Sequence, residues 1–469
     1  MSASLPLPHQ MDPRRSMPKK KDNFPSGLPI SAFAGLLVAL TLTFAPPHVI
    51  VRSIGEFIGT RLREGSNPRA DSSRDAQSQK VLSEAARFLS KHPMIDGHAD
   101  VPLQLLHNER LQHGVQALGA DLPVKTRGTY TKGVSVDVPK LLHGRVAAQV
   151  WAAWVPPEAT ALDAVALGMQ QVELALSAVD AHPQHLVLAR TPEEVRASFK
   201  AGRVGVILGL EGGHSIGNNL HVLRGFHRLG VRLLTLTHTG HLPWVSSCAD
   251  WAPQLGGLSP FGKVVIKELN RLGMLVDLSH ASEAAMSDVL DATLAPVIWS
   301  HSNAFRLCPD PRNVPDDILH RVVTNRGLVM VTFPEQFVVC GTNHTDPLQV
   351  VGIEHVINHL NYLVDVMGVD HVGIGSDYDG CKWIPAGLEH VGKMPQLVEA
   401  IMRTGRYKNE DVAKIVGGNF LRVWGDVQKI SQSWTEPVLQ GPETNLYTSI
   451  QGEGETPSSC HFQWDKTDE

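Results

Sequence analysis

Between residues 93 and 377 the chain repeats one pattern: a short apolar, β-rich run followed by a longer segment, often of helical period. The runs read PMIDGHAD (93–100), AAQVWAAW (147–154), VGVILGLEG (204–212), VRLLTLTH (231–238), MLVDLSH (274–280), PVIWSH (296–301), LVMVTF (328–333) and HVGIGSD (371–377). Amphipathic stretches such as LSPFGKVVIKELNRLG, SEAAMSDVLDATL and VINHLNYLVDVMG lie between several of them. Strands that are apolar without alternation are covered on both faces, the condition of a parallel sheet with helices packed outside it. Eight such units fit an α/β fold of the (β/α)8 TIM-barrel type. An open doubly wound sheet is the competing architecture. No G-x-G-x-x-G follows a run, however, and LEGGHSIG lacks the lysine of a phosphate-binding loop.

The residues that end the runs narrow the chemistry. They are His98 and Asp100, Glu211, His238, His280, His301 and Asp377. In a parallel barrel all C-terminal strand ends open on one face. A lone H-x-D at 98–100 would read as a polar loop after a strand. Six runs ending in His, Asp or Glu at one mouth would be costly to bury unless cations pair with them, so a metal site is expected there. Imidazoles and carboxylates without thiolates suit zinc or another divalent transition ion better than calcium or magnesium. The donors outnumber what one catalytic zinc needs, which points to a binuclear site with a shared carboxylate. Glu211, the only glutamate at a run's end, is the candidate for that shared place.

Other partners are constrained by composition. A net charge of −5 over 469 residues, with no basic stripe, argues against nucleic acid. The five cysteines, at 248, 308, 340, 381 and 460, include no C-x-x-C pair, so neither a thiolate zinc site nor a thioredoxin-like motif is expected. Near the N-terminus Arg14, Arg15, Lys19, Lys20 and Lys21 precede an uncharged apolar stretch that lasts until Arg52. That length can cross a bilayer, and the basic flank predicts a cytoplasmic N-terminus. A cleaved secretory signal is the other reading. Both place the bulk of the chain on the extracellular or lumenal side, where disulfides form and Asn343 of NHT is a usable glycosylation sequon.

The motifs IDGHADVPLQLL, LEGGHSIGNNLHVLRGFHRLGVRLLTLTH, GLSPFGKVVIKELNRLGMLVDLSH, APVIWSHSNAF, RNVPDDIL and GIGSDYDG, from about Val81 to Val427, resemble the membrane (renal) dipeptidase family of zinc peptidases on an amidohydrolase-like barrel. The resemblance implies two Zn2+ ions per chain, His98 and Asp100 on one, His280 and His301 on the other, with Glu211 bridging. It implies hydrolysis of dipeptides by a metal-bridging hydroxide. His238 would contact the scissile carbonyl, Arg312 would bind the substrate's C-terminal carboxylate, and Asp377 would handle the proton of the attacking water. Without the resemblance Arg312 reads as a surface salt-bridge residue near Asp316 and Asp317, and Asp379 as a turn residue. The resemblance further implies a Cys308–Cys340 disulfide and a possible homodimer, while Gly240 and Pro157 stand where animal members carry a second bond. The resulting division is a basic cytoplasmic leader (1–26), a transmembrane anchor (27–51), a flexible stalk (52–80), the metallo-dipeptidase barrel (81–430) and a flexible tail (431–469). Competing functions are an amidohydrolase acting on a lactam, cyclic amide or glutathione-derived conjugate, and a non-catalytic membrane-anchored binding protein.

Overall fold

The computed structural model describes residues 84–436 except 109–110, 112–113, 131, 250–255, 344–345 and 347. The expected leader, anchor and stalk, and the expected tail beyond residue 436, lie outside the described residues. Among the described residues no helix is long and apolar enough to cross a membrane.

Nine strands form one parallel sheet: β1 (Met94–Ala99), β2 (Val146–Trp154), β3 (Leu186–Leu188), β4 (Val204–Glu211), β5 (Val231–Thr235), β6 (Leu275–Asp277), β7 (Ile298–Trp299), β8 (Leu328–Val331) and β9 (Val372–Ile374). All but β3 follow one another around a nearly closed eight-stranded barrel. β3, which the apolar runs do not reveal, pairs with the N-terminal half of β4. The seam between β1 and β9 is drawn together just past β9. Ala99 bridges Tyr378, the Asp377 amide donates to the His98 carbonyl at 3.1 Å, and the Asp100 amide donates to the Tyr378 carbonyl at 2.9 Å. Buried Asp96 sews the same seam from inside, accepting from the Ser376 amide and hydroxyl, both at 2.7 Å, and from Gln149 Nε2 of β2 at 2.8 Å.

Local chemistry starts and stops the outer helices. Ser259 accepts from the Gly262 amide ahead of Pro260–Leu272, and left-handed Gly273 ends that helix. Asn219 and Gly230 bracket Leu220–Leu229 in the same way, and Ser282 caps Glu283–Ala292. The last helix, Asn419–Gln432, lies across the N-terminal ends of the strands. Asn419 Nδ2 donates to the Val369 and Val372 carbonyls, and Phe420, Trp424 and Val427 share one apolar cluster with Ile95, Ile207 and Leu275 of the strands. One end of the barrel is thus plugged with side chains, leaving the C-terminal end for polar groups. Cys308 and Cys340 are disulfide-bonded, with Cα atoms 5.1 Å apart. Gly240 and Pro157 do meet: a Cβ on Gly240 would lie 2.9 Å from Pro157 Cβ.

Candidate metal centre

The expected ligands all reach one mouth, although several strands stop short of the apolar runs. Only His98 and Glu211 lie within strands; Asp100, His238, His280, His301 and Asp377 sit one to three residues beyond a strand's end. His280 and Asp377 hold left-handed backbone, at φ 66° and 62°, which is uncommon for side chains other than glycine. The His280 conformation is fixed by its carbonyl, which accepts from Thr237 Oγ1 at 2.9 Å and from the Cys248 amide at 2.8 Å.

His98 and His301 come from strands that are not neighbours, yet their rings stack with centroids 3.7 Å apart. Two glycines permit this crossing of the barrel. A Cβ on Gly97 would lie 2.5 Å from the Ser300 carbonyl oxygen, and one on Gly375 would overlap the same atom. The chain after β7 therefore leans inward, carrying His301 with it.

Glu211 stands among three of the histidines. Its Oε2 lies 3.3 Å from His98 Nε2, which is itself 3.4 Å from Asp100 Oδ2. Its Oε1 lies 3.1 Å from His280 Nε2 and 3.3 Å from His301 Nε2, and those two ring nitrogens face each other at 3.1 Å. Ligand atoms ~2.0–2.1 Å from one tetrahedral ion are spaced ~3.3 Å apart, so these separations are of the size that a metal ion's ligands keep. Among the described residues the ring nitrogens of buried His98 make no well-aligned hydrogen bond, and Nε2 faces two carboxylates, an arrangement that suits a cation between them. His238 with Glu211 and His280, and Asp377 with His98 and Asp100, also place ligand atoms within 4.8 Å of one another.

Burial opposes a charge on His98, yet Glu211 and Asp100 beside it raise its pKa well above the usual imidazole value. Burial likewise opposes ionised Glu211, but the charge on His98 beside it holds it well below a normal carboxyl. Burial pushes Asp100 up to about 6 and Asp377 up to about 7, and lowers His238 to about 4.

Arg312 is no surface residue. It is buried, its Nη1 donates to Ser302 Oγ at 2.6 Å, and its guanidinium lies 5.6 Å from the centre of the Phe337 ring. Nε and Nη2, one edge of the guanidinium, have no hydrogen-bond partner among the described residues. The Asp316 carboxylate accepts instead from Tyr362. Asp379 does more than turn the chain: buried, it accepts from the Ser135 and Val136 amides at 2.7 and 3.1 Å and ties down the loop before Val138–His143. His214 is buried against the Val155 carbonyl, 3.0 Å from Nε2. Asn343 of the sequon is exposed in the loop after Cys340.

Sequence reasoning passed over Asp277, Ser300, Gly97, Gly375 and Gly380, which shape the site without ending a run. The recurrence of aspartate just ahead of a ligand, in DGH at 96–98 and DLSH at 277–280, was the available signal.

The family model for membrane dipeptidases, peptidase family M19, matches residues 82–438. Dipeptidase AC, a metallo peptidase of family M19, is 29% identical, with a TM-score of 0.63, over 72% of this chain and 98% of its own. A metallo peptidase from Rhodobacter sphaeroides, solved with a phosphinate mimic of the dipeptide L-Ala-D-Ala, is 27% identical, with a TM-score of 0.62, over 72% of this chain and 99% of its own. The probable dipeptidase PvdM from Pseudomonas aeruginosa, 23% identical with a TM-score of 0.65 over 75% of this chain and 99% of its own, shares the fold. With the family model matching well over half of its length, the chain belongs to the membrane dipeptidase family, peptidase family M19.

Proposed function

We propose that the protein is a zinc dipeptidase that cleaves the single peptide bond of a dipeptide at a two-ion centre. The observation that carries this reading is Glu211, whose Oε2 faces His98, itself beside Asp100, while Oε1 faces His280 and His301. His98 and Asp100 with Oε2 would hold one ion, and His280 and His301 with Oε1 the other. Bound there, two zinc ions would acidify a shared water and polarise the scissile carbonyl.

The chain's own residues complete the reaction. Arg312 offers its Nε–Nη2 edge, without a partner among the described residues, to the substrate's free carboxylate, a planar match with two hydrogen bonds. His238, kept neutral by burial and with Thr239 Oγ1 3.2 Å from Nδ1, can carry its proton on Nε2 and donate to the carbonyl oxygen as it turns tetrahedral. Asp377, beside His98 and Asp100, takes a proton from the attacking water and returns it to the departing amine. The dipeptide mimic held by the Rhodobacter sphaeroides relative supports a substrate of this size. An anchor at 27–51 with the barrel on the non-cytoplasmic side belongs to the same proposal, and the Cys308–Cys340 bond suits an oxidising compartment.

Metal analysis of the purified chain is expected to find two zinc ions, and chelation to abolish turnover on a dipeptide panel until zinc is returned. Dipeptides with an amidated C-terminus are expected to be poor substrates. Equal rates on free and amidated dipeptides would remove Arg312 from carboxylate recognition, and undiminished turnover after chelation would end the metallopeptidase reading.

A further inference from the structure

We propose that Ser300, held by Asp277, is a positioning residue that fixes the His301 ring for metal binding; the inference rests on the two-ion reading above. Asp277, at the end of β6, is fully buried. Around it lie Thr235 Oγ1 at 2.5 Å, Ser300 Oγ at 2.6 Å, the Ser300 amide at 2.8 Å and the Ser279 amide at 3.1 Å. All four partners have a proton to give, so the carboxylate accepts from each of them. The Ser300 hydroxyl has one proton, directed to Asp277. Its oxygen lies 2.7 Å from His301 Nδ1 with lone pairs remaining. The bond that satisfies both atoms is Nδ1–H donating to Ser300 Oγ.

The ring proton of His301 is thereby placed on Nδ1. Its Nε2, 3.3 Å from Glu211 Oε1 and 3.1 Å from His280 Nε2, keeps its lone pair for a cation. Because Asp277 also grips Thr235, the last residue of β5, the ring is oriented relative to three successive strands rather than to its own loop. His98 differs: its Nδ1 has no hydrogen-bond partner among the described residues. The relay therefore serves one ion site and not the other. Such outer partners of a ligating histidine contribute about 10–100-fold in metal affinity.

The test titrates the metal-stripped full-length wild type, Ser300→Ala and Ser279→Ala with Zn2+ against a chromophoric chelator. Ser279 Oγ accepts from the His301 amide at 3.1 Å and lies 3.4 Å from Ser300 Oγ but does not touch the ring, so it controls for loss of a hydroxyl from the same buried cluster. Wild type is expected to take two tight equivalents. Ser300→Ala should keep one of them and bind the other about 10–100-fold more weakly, with a smaller change in Ser279→Ala. Nitrogen NMR of labelled histidines in the metal-free proteins should show His301 as the Nδ1–H tautomer in wild type and a shift toward Nε2–H in Ser300→Ala. Two wild-type equivalents with both affinities unchanged in Ser300→Ala would overturn the relay alone, as would equal weakening of both sites in both variants. Absence of zinc uptake by wild type would instead overturn the two-ion reading and the relay with it.

Discussion

At Gly380 a Cβ would overlap both Asp100 Oδ2 and Asp377 Oδ1, so the absence of a side chain there lets two carboxylates share one corner of the mouth. Its φ is not in the left-handed region, so alanine suits the backbone and the conflict is purely steric. Gly380→Ala is expected to displace one or both carboxylates by about 1 Å and lower kcat/KM by about 100-fold. Circular dichroism and the melting temperature should stay close to wild type, and near-wild-type turnover would show that the carboxylates tolerate the shift. This is also the scale at which sequence was least informative beyond the ligands themselves. His98, Glu211 and His280 were legible because each polar group closes an apolar run. Gly380, Ser300 and Asp277 were not, because glycine, serine or aspartate near a strand's end is ordinary turn chemistry. Their roles depend on atoms brought together across the barrel.

Two loops act as one element around Arg312. Asn303 Nδ2 donates to the Thr332 and Phe337 carbonyls, Asn313 Nδ2 to those of Cys308 and Phe337, and the disulfide joins Cys308 to Cys340. The helix Ile353–Met367 adds His359, whose Nδ1 accepts from the Ala304 amide at 3.2 Å while Nε2 lies 2.9 Å from the Val338 carbonyl. That pairing needs a neutral ring, and burial lowers the His359 pKa from its ordinary 6.5. Between the lowered value and 6.5 the unfolded chain binds the proton that the folded chain refuses, so stability rises with pH there and falls as pH drops below about 6.5. His359 alone can contribute a slope of at most about 1.4 kcal/mol per pH unit. Wild type should therefore lose stability more steeply than His359→Gln between pH 7.5 and pH 5 in denaturant titrations, and parallel curves would contradict the assignment. The apolar runs revealed eight strands but not this unit, since its connections are side chain to backbone and join residues far apart in sequence.

The barrel as a whole separates stability from chemistry by giving each one end. The helix Asn419–Gln432 fills the N-terminal end, where Trp424 is fully buried among residues of the strand interior, while the ligands occupy the opposite mouth. The sequence made the barrel legible through its alternation, yet not the use of its last helix. An amphipathic pattern identifies an apolar face without saying whether that face packs outside a sheet or across its end. The arrangement predicts that damage to the plug spreads to folding before it reaches the site. Trp424→Ala would remove the largest plug side chain and leave a cavity costing about 3–5 kcal/mol. Nothing about the strand ends that carry His98, Glu211 and His301 changes directly. The variant should unfold at markedly lower temperature while the folded fraction keeps wild-type metal content and kcat/KM at 20–25 °C. If turnover fell in proportion to the loss of stability, with the protein still folded, the two ends would be coupled through the interior. The close approach of Gly97 and Gly375 to Ser300 would then be the path to probe, because it is where β1, β7 and β9 meet inside the barrel.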